Sequence, residues 1–227
     1  MALSMSRASW LRVLPFVVFM ALLALRGAAP SDGAWGFDTR WLYAAQVVIP
    51  GAMLAWWWRE YGELSKHNAP TLLEGLAAIA VGLVVFGLWI SLDAPWMTLN
   101  TGAAAPFAPL NEQGGLDVSL VATRLAGAAI LVPVMEELFW RSFLMRWIQQ
   151  PVFEGLAPQR VGLKAVLLST FVFVLAHTLW LAAIVAGLAY AWLYIRSGKL
   201  WTAVIAHAVT NGALGVWVLA TGNWQFW

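Results

Sequence analysis

Met135–Trp147, MEELFWRSFLMRW, sets two adjacent carboxylates and an arginine in a stretch that otherwise reads as lipid-soluble. Apolar residues run from Leu125 to Met135 before it, and Phe143, Leu144, Met145 and Trp147 follow. The stretch therefore reads as a membrane helix that carries Glu136, Glu137 and Arg141. Ionisable groups at bilayer depth cost several kcal/mol unless they are paired, protonated or facing water, so they mark functional positions.

The rest of the chain agrees with a membrane setting. Of 227 residues, 62% are hydrophobic and only 11% charged, against roughly a quarter charged in a soluble domain; mean hydropathy is +0.75. A span needs about 20 apolar residues, so the chain holds about seven helices and no soluble domain. The expected fold is all-α and polytopic. It is one transmembrane domain over 1–227, with peripheral N-terminal helices in 1–115 and a core in 116–220 whose last four helices form the cavity. The net charge of +2 is spread along loop edges without a basic run, so no nucleic acid is expected as a partner. Cysteine is absent, which removes thiolate nucleophiles and cysteine-ligated metals. Most of the 16 Trp read as interfacial anchors.

Leu11–Leu25 is an apolar run behind Arg7 and Arg12. It reads as a first membrane helix rather than a cleaved leader, because no clean small-residue cleavage site adjoins it. Trp41–Trp58 is a second span with a kink expected at Pro50-Gly51, and Thr71–Leu92 a third. The longest connection, Asp93–Leu116, has room for a short interfacial element. Asp117 or Ser119 caps the next helix, which runs to about Gln149 and is expected to bend at Pro133. Leu163–Arg196 is longer than one span requires and divides near His177–Trp180, and Leu200–Ala220 is last. With the N-terminus inside, Arg7, Arg12, Arg59, Lys66, Arg146, Arg160, Lys164, Arg196 and Lys199 fall on the cytoplasmic side against Arg26, Arg40 and Arg124 outside, as the positive-inside rule prefers.

Few ionisable residues remain at span depth: Glu136, Glu137, Arg141, His177 and His207, with Asn211 one turn after His207. Glu137 and Arg141 stand four apart in the favourable order for a pair. Glu136 is rotated from Glu137 by about 100°, so one carboxylate is neutralised while its neighbour faces a different environment. The plain alternatives are an ion pair that fixes packing, a hydrogen-bonded core histidine at His177, and a polar clasp between helices at His207 and Asn211. Three helices each supplying an inward polar group also meet the needs of hydrolysis within a membrane: a base for water, a proton shuttle and oxyanion donors. Ser142 and Ser169 are not spaced to a base on their own helices, so direct attack by water is favoured over an acyl-enzyme.

In order, spacing and apolar setting, Glu136-Glu137-x-x-x-Arg141, Phe173-x-x-x-His177 and His207-x-x-x-Asn211 resemble the CPBP family of CAAX proteases and bacteriocin-processing enzymes. These are glutamic intramembrane endopeptidases and include the Ras-converting CAAX prenyl endopeptidase. VPVMEELFWRSFLMRW also looks like the bacterial members linked to exosortase sorting systems. The resemblance covers roughly 116–220. It implies that Glu136 activates water with His177, that His207 and Asn211 stabilise the oxyanion, and that Glu137 and Arg141 support the site. It further implies a membrane protein or lipidated peptide as substrate, no cofactor, and a multi-pass location in a cell membrane; the small size and economical loops point to a bacterial host and so to its inner membrane. The short stretch between His177 and Gly187 is a departure that bears on cavity shape. Two other readings stay open: a zinc protease using the two histidines and a glutamate, and a membrane scaffold that holds a peptide or lipid without cutting it.

Overall fold

The computed structural model describes residues 5–30, 34–99 and 107–227. Part of the long connection expected over 93–116 lies outside the described residues. Its described portion contains a short 3₁₀ turn at Pro95–Met97.

The described chain is helical, with a single isolated bridge between Leu110 and Leu116. Seven long helices follow one another: α1 Arg7–Ala28, α2 Leu42–Trp56, α3 Leu72–Trp89, α4 Val118–Gln149, α5 Leu163–Leu175, α6 Trp180–Ser197 and α7 Leu200–Thr221. Five of them, α1, α3, α4, α6 and α7, are long and apolar enough to cross a bilayer. The other two, α2 with 15 residues and α5 with 13, fall short of that length. At 1.5 Å per residue, α5 extends only about 20 Å against a hydrocarbon core of about 30 Å. Seven spans were expected; on length and apolarity five are found.

Local chemistry sets the helix ends. Thr71 and Glu74 form a reciprocal capping box at the start of α3. Asp117 accepts from the backbone N–H of Ser119 and Leu120 and so caps α4, as its position suggested. Gly198 and Gly222 end α6 and α7 at φ 73° and 71°, a left-handed conformation that glycine adopts without steric cost. The division expected near His177–Trp180 is found: α5 ends at Leu175 and α6 begins at Trp180.

α4 departs most from a regular helix. π-helical turns at Gly127–Leu131 and Leu138–Met145 enclose a short α-helical piece, Val132–Glu137, with Pro133 within it. Proline has no N–H to donate and crowds the carbonyl four residues earlier. A wide turn just before it relieves that crowding, and such turns recur at functional positions in membrane helices.

Packing runs through small residues. A Cβ on Gly82 of α3 would lie 2.5 Å from the carbonyl oxygen of Ala206 on α7, so these two helices touch backbone to backbone. Thr210 Oγ1, 2.8 Å from Gly82 O, accepts from the Tyr190 hydroxyl at 2.7 Å and links α3, α6 and α7. Outward-facing Leu72, Leu73, Leu83 and Val84 leave α3 apolar on its exposed side, as a lipid-facing helix requires.

Arg12 and Arg146, expected at loop edges, are instead buried at one end of the bundle. Arg12 makes a two-pronged ion pair with Glu63 at 2.8 and 2.7 Å, and Glu63 also accepts from Ser142 of α4. Arg146 donates to the carbonyls of Phe153 and Glu154 and to the Tyr194 hydroxyl. Each arginine satisfies loop acceptors where the chain leaves the helices.

Candidate active site

Adjacent positions on α4 send Glu136 and Glu137 to different partners. Glu137 is fully buried, and Arg141 is 3% exposed. Arg141 Nη1 donates to Glu137 Oε1 at 2.9 Å, the pairing that the four-residue spacing implies. The same oxygen lies 2.8 Å from His207 Nδ1 on α7. Arg141 is held further by Nη2 reaching Gly187 O at 3.4 Å, and by the rings of Phe173 and Tyr190, whose centroids lie 4.7 and 5.3 Å from its Cζ. A Cβ at Gly187 would stand 2.8 Å from Thr170 Cγ2, so glycine lets α6 come close enough to offer that carbonyl.

Glu136, 9% exposed, lines the cavity. Its Oε2 accepts from Trp140 Nε1 at 3.2 Å, a contact of one helical turn that fixes the carboxylate and leaves Oε1 available. Trp140 is held in turn by edge contacts with Phe16 of α1 and Phe173 of α5.

His177 follows the last turn of α5, with Nδ1 2.7 Å from Phe173 O. A carbonyl only accepts, so Nδ1 carries the proton and a neutral ring keeps its lone pair on Nε2. Phe173, four residues earlier, both accepts this bond and packs against the ring at 4.2 Å, and Trp89 meets the ring edge-on at 5.8 Å. His207 Nδ1 faces a carboxylate and is a donor by the same logic. Its ring stacks on Tyr190, 5.1 Å and 19° apart. Asn211 Nδ2 donates to Ala128 O at 2.9 Å, in the first π-turn of α4. An amide nitrogen has two N–H bonds, so one remains.

Glu136, His177, His207 and Asn211 line one cavity of about 250 Å³ together with Tyr190 and Thr210. Glu137 and Arg141 lie behind it. The cavity is not walled by the last four helices alone: Phe19 and Leu23 of α1, Tyr43 and Gln46 of α2 and Trp89 of α3 complete it. Sequence reading missed these, since single apolar or aromatic residues on N-terminal helices carry no signal above lipid-facing ones. It also counted Arg26 and Arg124 only as loop-edge charge, although both line the cavity.

Such an arrangement defines a class: a polytopic α-helical membrane protein with carboxylate, imidazole and amide groups around one cavity. Residues 118–213, from the first residue of α4 to just beyond Asn211, match the family model described as type II CAAX prenyl endopeptidase Rce1-like. The matched region is similar to this protease family, and it contains all six residues singled out above. No curated protein and no solved structure matched the chain.

Proposed function

We propose that the protein is an intramembrane endopeptidase of the glutamic type, in which Glu136 and His177 activate water against a peptide bond of a membrane-associated substrate. The observation that carries this reading is the different treatment of the two carboxylates. Glu137, whose Oε1 serves both Arg141 and His207 and whose Oε2 is buried without a partner, does not line the cavity, whereas Glu136 does, with Oε2 accepting from Trp140.

In the proposed reaction Glu136 accepts a proton from water as the oxygen bonds to the substrate carbonyl carbon, and the carbonyl π-electrons move onto its oxygen. His177 Nε2 accepts a hydrogen bond from the same water and helps relay the proton to the leaving nitrogen as the C–N bond breaks. The remaining N–H of Asn211 and the Nε2–H of His207 stabilise the oxyanion. With Nδ1–H committed to Glu137, His207 donates through Nε2 only as an imidazolium, whose charge the developing oxyanion balances, since Glu137 already neutralises Arg141. Glu137 and Arg141 act by positioning His207.

We read the chemistry as metal-independent. A cell membrane, the inner membrane of a bacterium, is the location we infer, and a membrane protein or lipidated peptide the substrate.

The test is Glu136→Gln in the purified protein in detergent, with cleavage read on peptide libraries by mass spectrometry. Loss of 10²–10⁴-fold or more in rate is expected, with an unchanged unfolding temperature. Retained turnover would overturn the proposal. A chelator should leave the wild type active; inactivation reversed by zinc would favour the metalloprotease reading instead.

A further inference from the structure

The outward face of α5 is short for a bilayer. Leu163, Leu167, Phe171 and Leu175 recur every four residues and are all exposed, so they form one apolar stripe along the helix. The stripe covers twelve positions, about 18 Å at 1.5 Å per residue, against a hydrocarbon core of about 30 Å. Exposed Arg160 and Lys164 close it at one end. At the other end Ala176 and Thr178 leave an irregular turn exposed on either side of His177. α1 and α7, of 22 residues each, have no such deficit, since they extend about 33 Å.

Irregular main chain does not lie against acyl chains, where its N–H and C=O groups find no partners. The groups around this turn suit the membrane–water interface instead. Trp96, exposed in the connection after α3, accepts at its carbonyl from Trp180 Nε1 at 3.0 Å, and the two rings meet edge to face at 6.4 Å. Tryptophan concentrates at the interfacial level of a membrane. Leu99 N–H donates to Thr178 O at 2.7 Å and ties the same connection to the turn. Asp93, three residues before Trp96, is exposed, and a carboxylate is costly among acyl chains. α3, which leads into this connection, exposes apolar residues from Leu72 to Leu88, about 24 Å of helix. The deficit is graded: greatest at α5, smaller at α3.

We infer that α5 presents a lipid-facing surface fitted to a locally thinned bilayer, with the membrane–water interface brought down to the turn that carries His177. Lipid meets a helix shorter than its own thickness by thinning around it. In a bilayer of full thickness, with Lys164 at one surface, the turn would lie about 10 Å inside the hydrocarbon. Thinning removes that layer, so water reaches the wall of the cavity at His177 without crossing lipid. The consequence for catalysis rests on the proteolytic reading of Glu136 and His177; the thinning does not.

The chain has no cysteine, so Thr178→Cys, Trp96→Cys and Leu167→Cys each take a single nitroxide label. The full-length variants in phosphatidylcholine nanodiscs are read by electron paramagnetic resonance, as collision with oxygen, which concentrates among acyl chains, and with a nickel chelate, which stays in water. In oleoyl lipid the labels at Thr178 and Trp96 should meet nickel, and the label at Leu167 oxygen. Oxygen-dominated collision at Thr178 would overturn the thinning, and Trp96→Cys decides in the same sense if Thr178→Cys does not fold. Shielding of the Leu167 label from both probes would also overturn it, because protein rather than lipid would then cover α5. Turnover of the unlabelled wild type should fall several-fold from myristoleoyl to erucoyl lipid, and equal turnover in both would overturn the link to catalysis. If the labels report water at the turn but no peptide is cut in any lipid, the thinning stands and the protease reading falls.

Discussion

His207 Nδ1 lies 2.8 Å from Glu137 Oε1, joining two helices whose residues are 70 positions apart in sequence. The same oxygen takes the Arg141 bond at 2.9 Å. One carboxylate atom thus fixes the rotamer of a histidine across the bundle and neutralises a buried guanidinium on its own helix. The Glu-Glu pair is therefore asymmetric, and its two members should fail in different ways when changed.

Glu137→Gln leaves Arg141 buried without a counter-charge. Removing one partner of a buried ion pair costs about 3–5 kcal/mol. The expected outcome is a sharply lowered unfolding temperature, together with loss of activity. Glu136→Gln keeps an acceptor for Trp140 Nε1 and should unfold like the wild type. Thermal unfolding of the two purified variants separates the roles, and equal stability would show that the asymmetry has no energetic weight.

The Nδ1–H form of His177 is fixed by a bond to the Phe173 carbonyl. The chain has 3 histidines, so ¹⁵N-histidine labelling combined with a His67→Gln variant gives a spectrum of two rings. The His177 signals should show a protonated Nδ1 and a bare Nε2 in the resting protein. A protonated Nε2 with a bare Nδ1 would remove the lone pair that the proposed water activation uses.

The sequence exposed the site more fully than the cavity around it. Glu136, Glu137, Arg141, His177, His207 and Asn211 stood out because polar atoms in an apolar helix must have a reason, and their spacing fixes helix faces. The Glu137–Arg141 bond followed from four-residue geometry alone. The Glu137–His207 bond did not, because only tertiary packing decides which helix lies opposite. Arg12 looked like a loop-edge charge for the same reason: its partner Glu63 is 51 residues away, beyond any local pattern. The π-turns of α4 were hidden as well. Pro133 announced a distortion there, but its form depends on how Asn211 and Ala128 meet.

Acid should loosen the end of the bundle where α1 meets the loop after α2. Burial alone would raise the Glu63 carboxyl, but the hydrogen bonds and charge of Arg12, with a further bond from Ser142, bring it below the usual value of 4.5. A carboxyl depressed by folding contributes stability that is present above its unfolded value and lost as pH falls through its folded one. The unfolding temperature should therefore decline as pH drops below about 4.5. Glu63→Gln should begin lower, with Arg12 unpaired, and show a weaker decline. An unchanged pH slope in the variant would place the acid sensitivity elsewhere.

The contact between α3 and α7 gives the sharpest steric prediction, because it is backbone against backbone. A methyl at position 82 would meet Ala206 O at 2.5 Å and Val209 Cβ at 2.9 Å, neither of which can rotate away. Gly82→Ala must push the helices apart, and overpacking of this kind costs about 1–3 kcal/mol. The push is felt at the site, since Thr210 loses its hold on Gly82 O and His207 sits on the turn before it. Gly75→Ala on the same helix meets nothing within 4 Å, so it should fold and cut like the wild type. Unfolding temperature and turnover of the two variants, measured side by side, check this: lowered stability and activity for Gly82→Ala alone is the expected result. Wild-type behaviour in Gly82→Ala would mean that α3 and α7 do not approach this closely in the membrane.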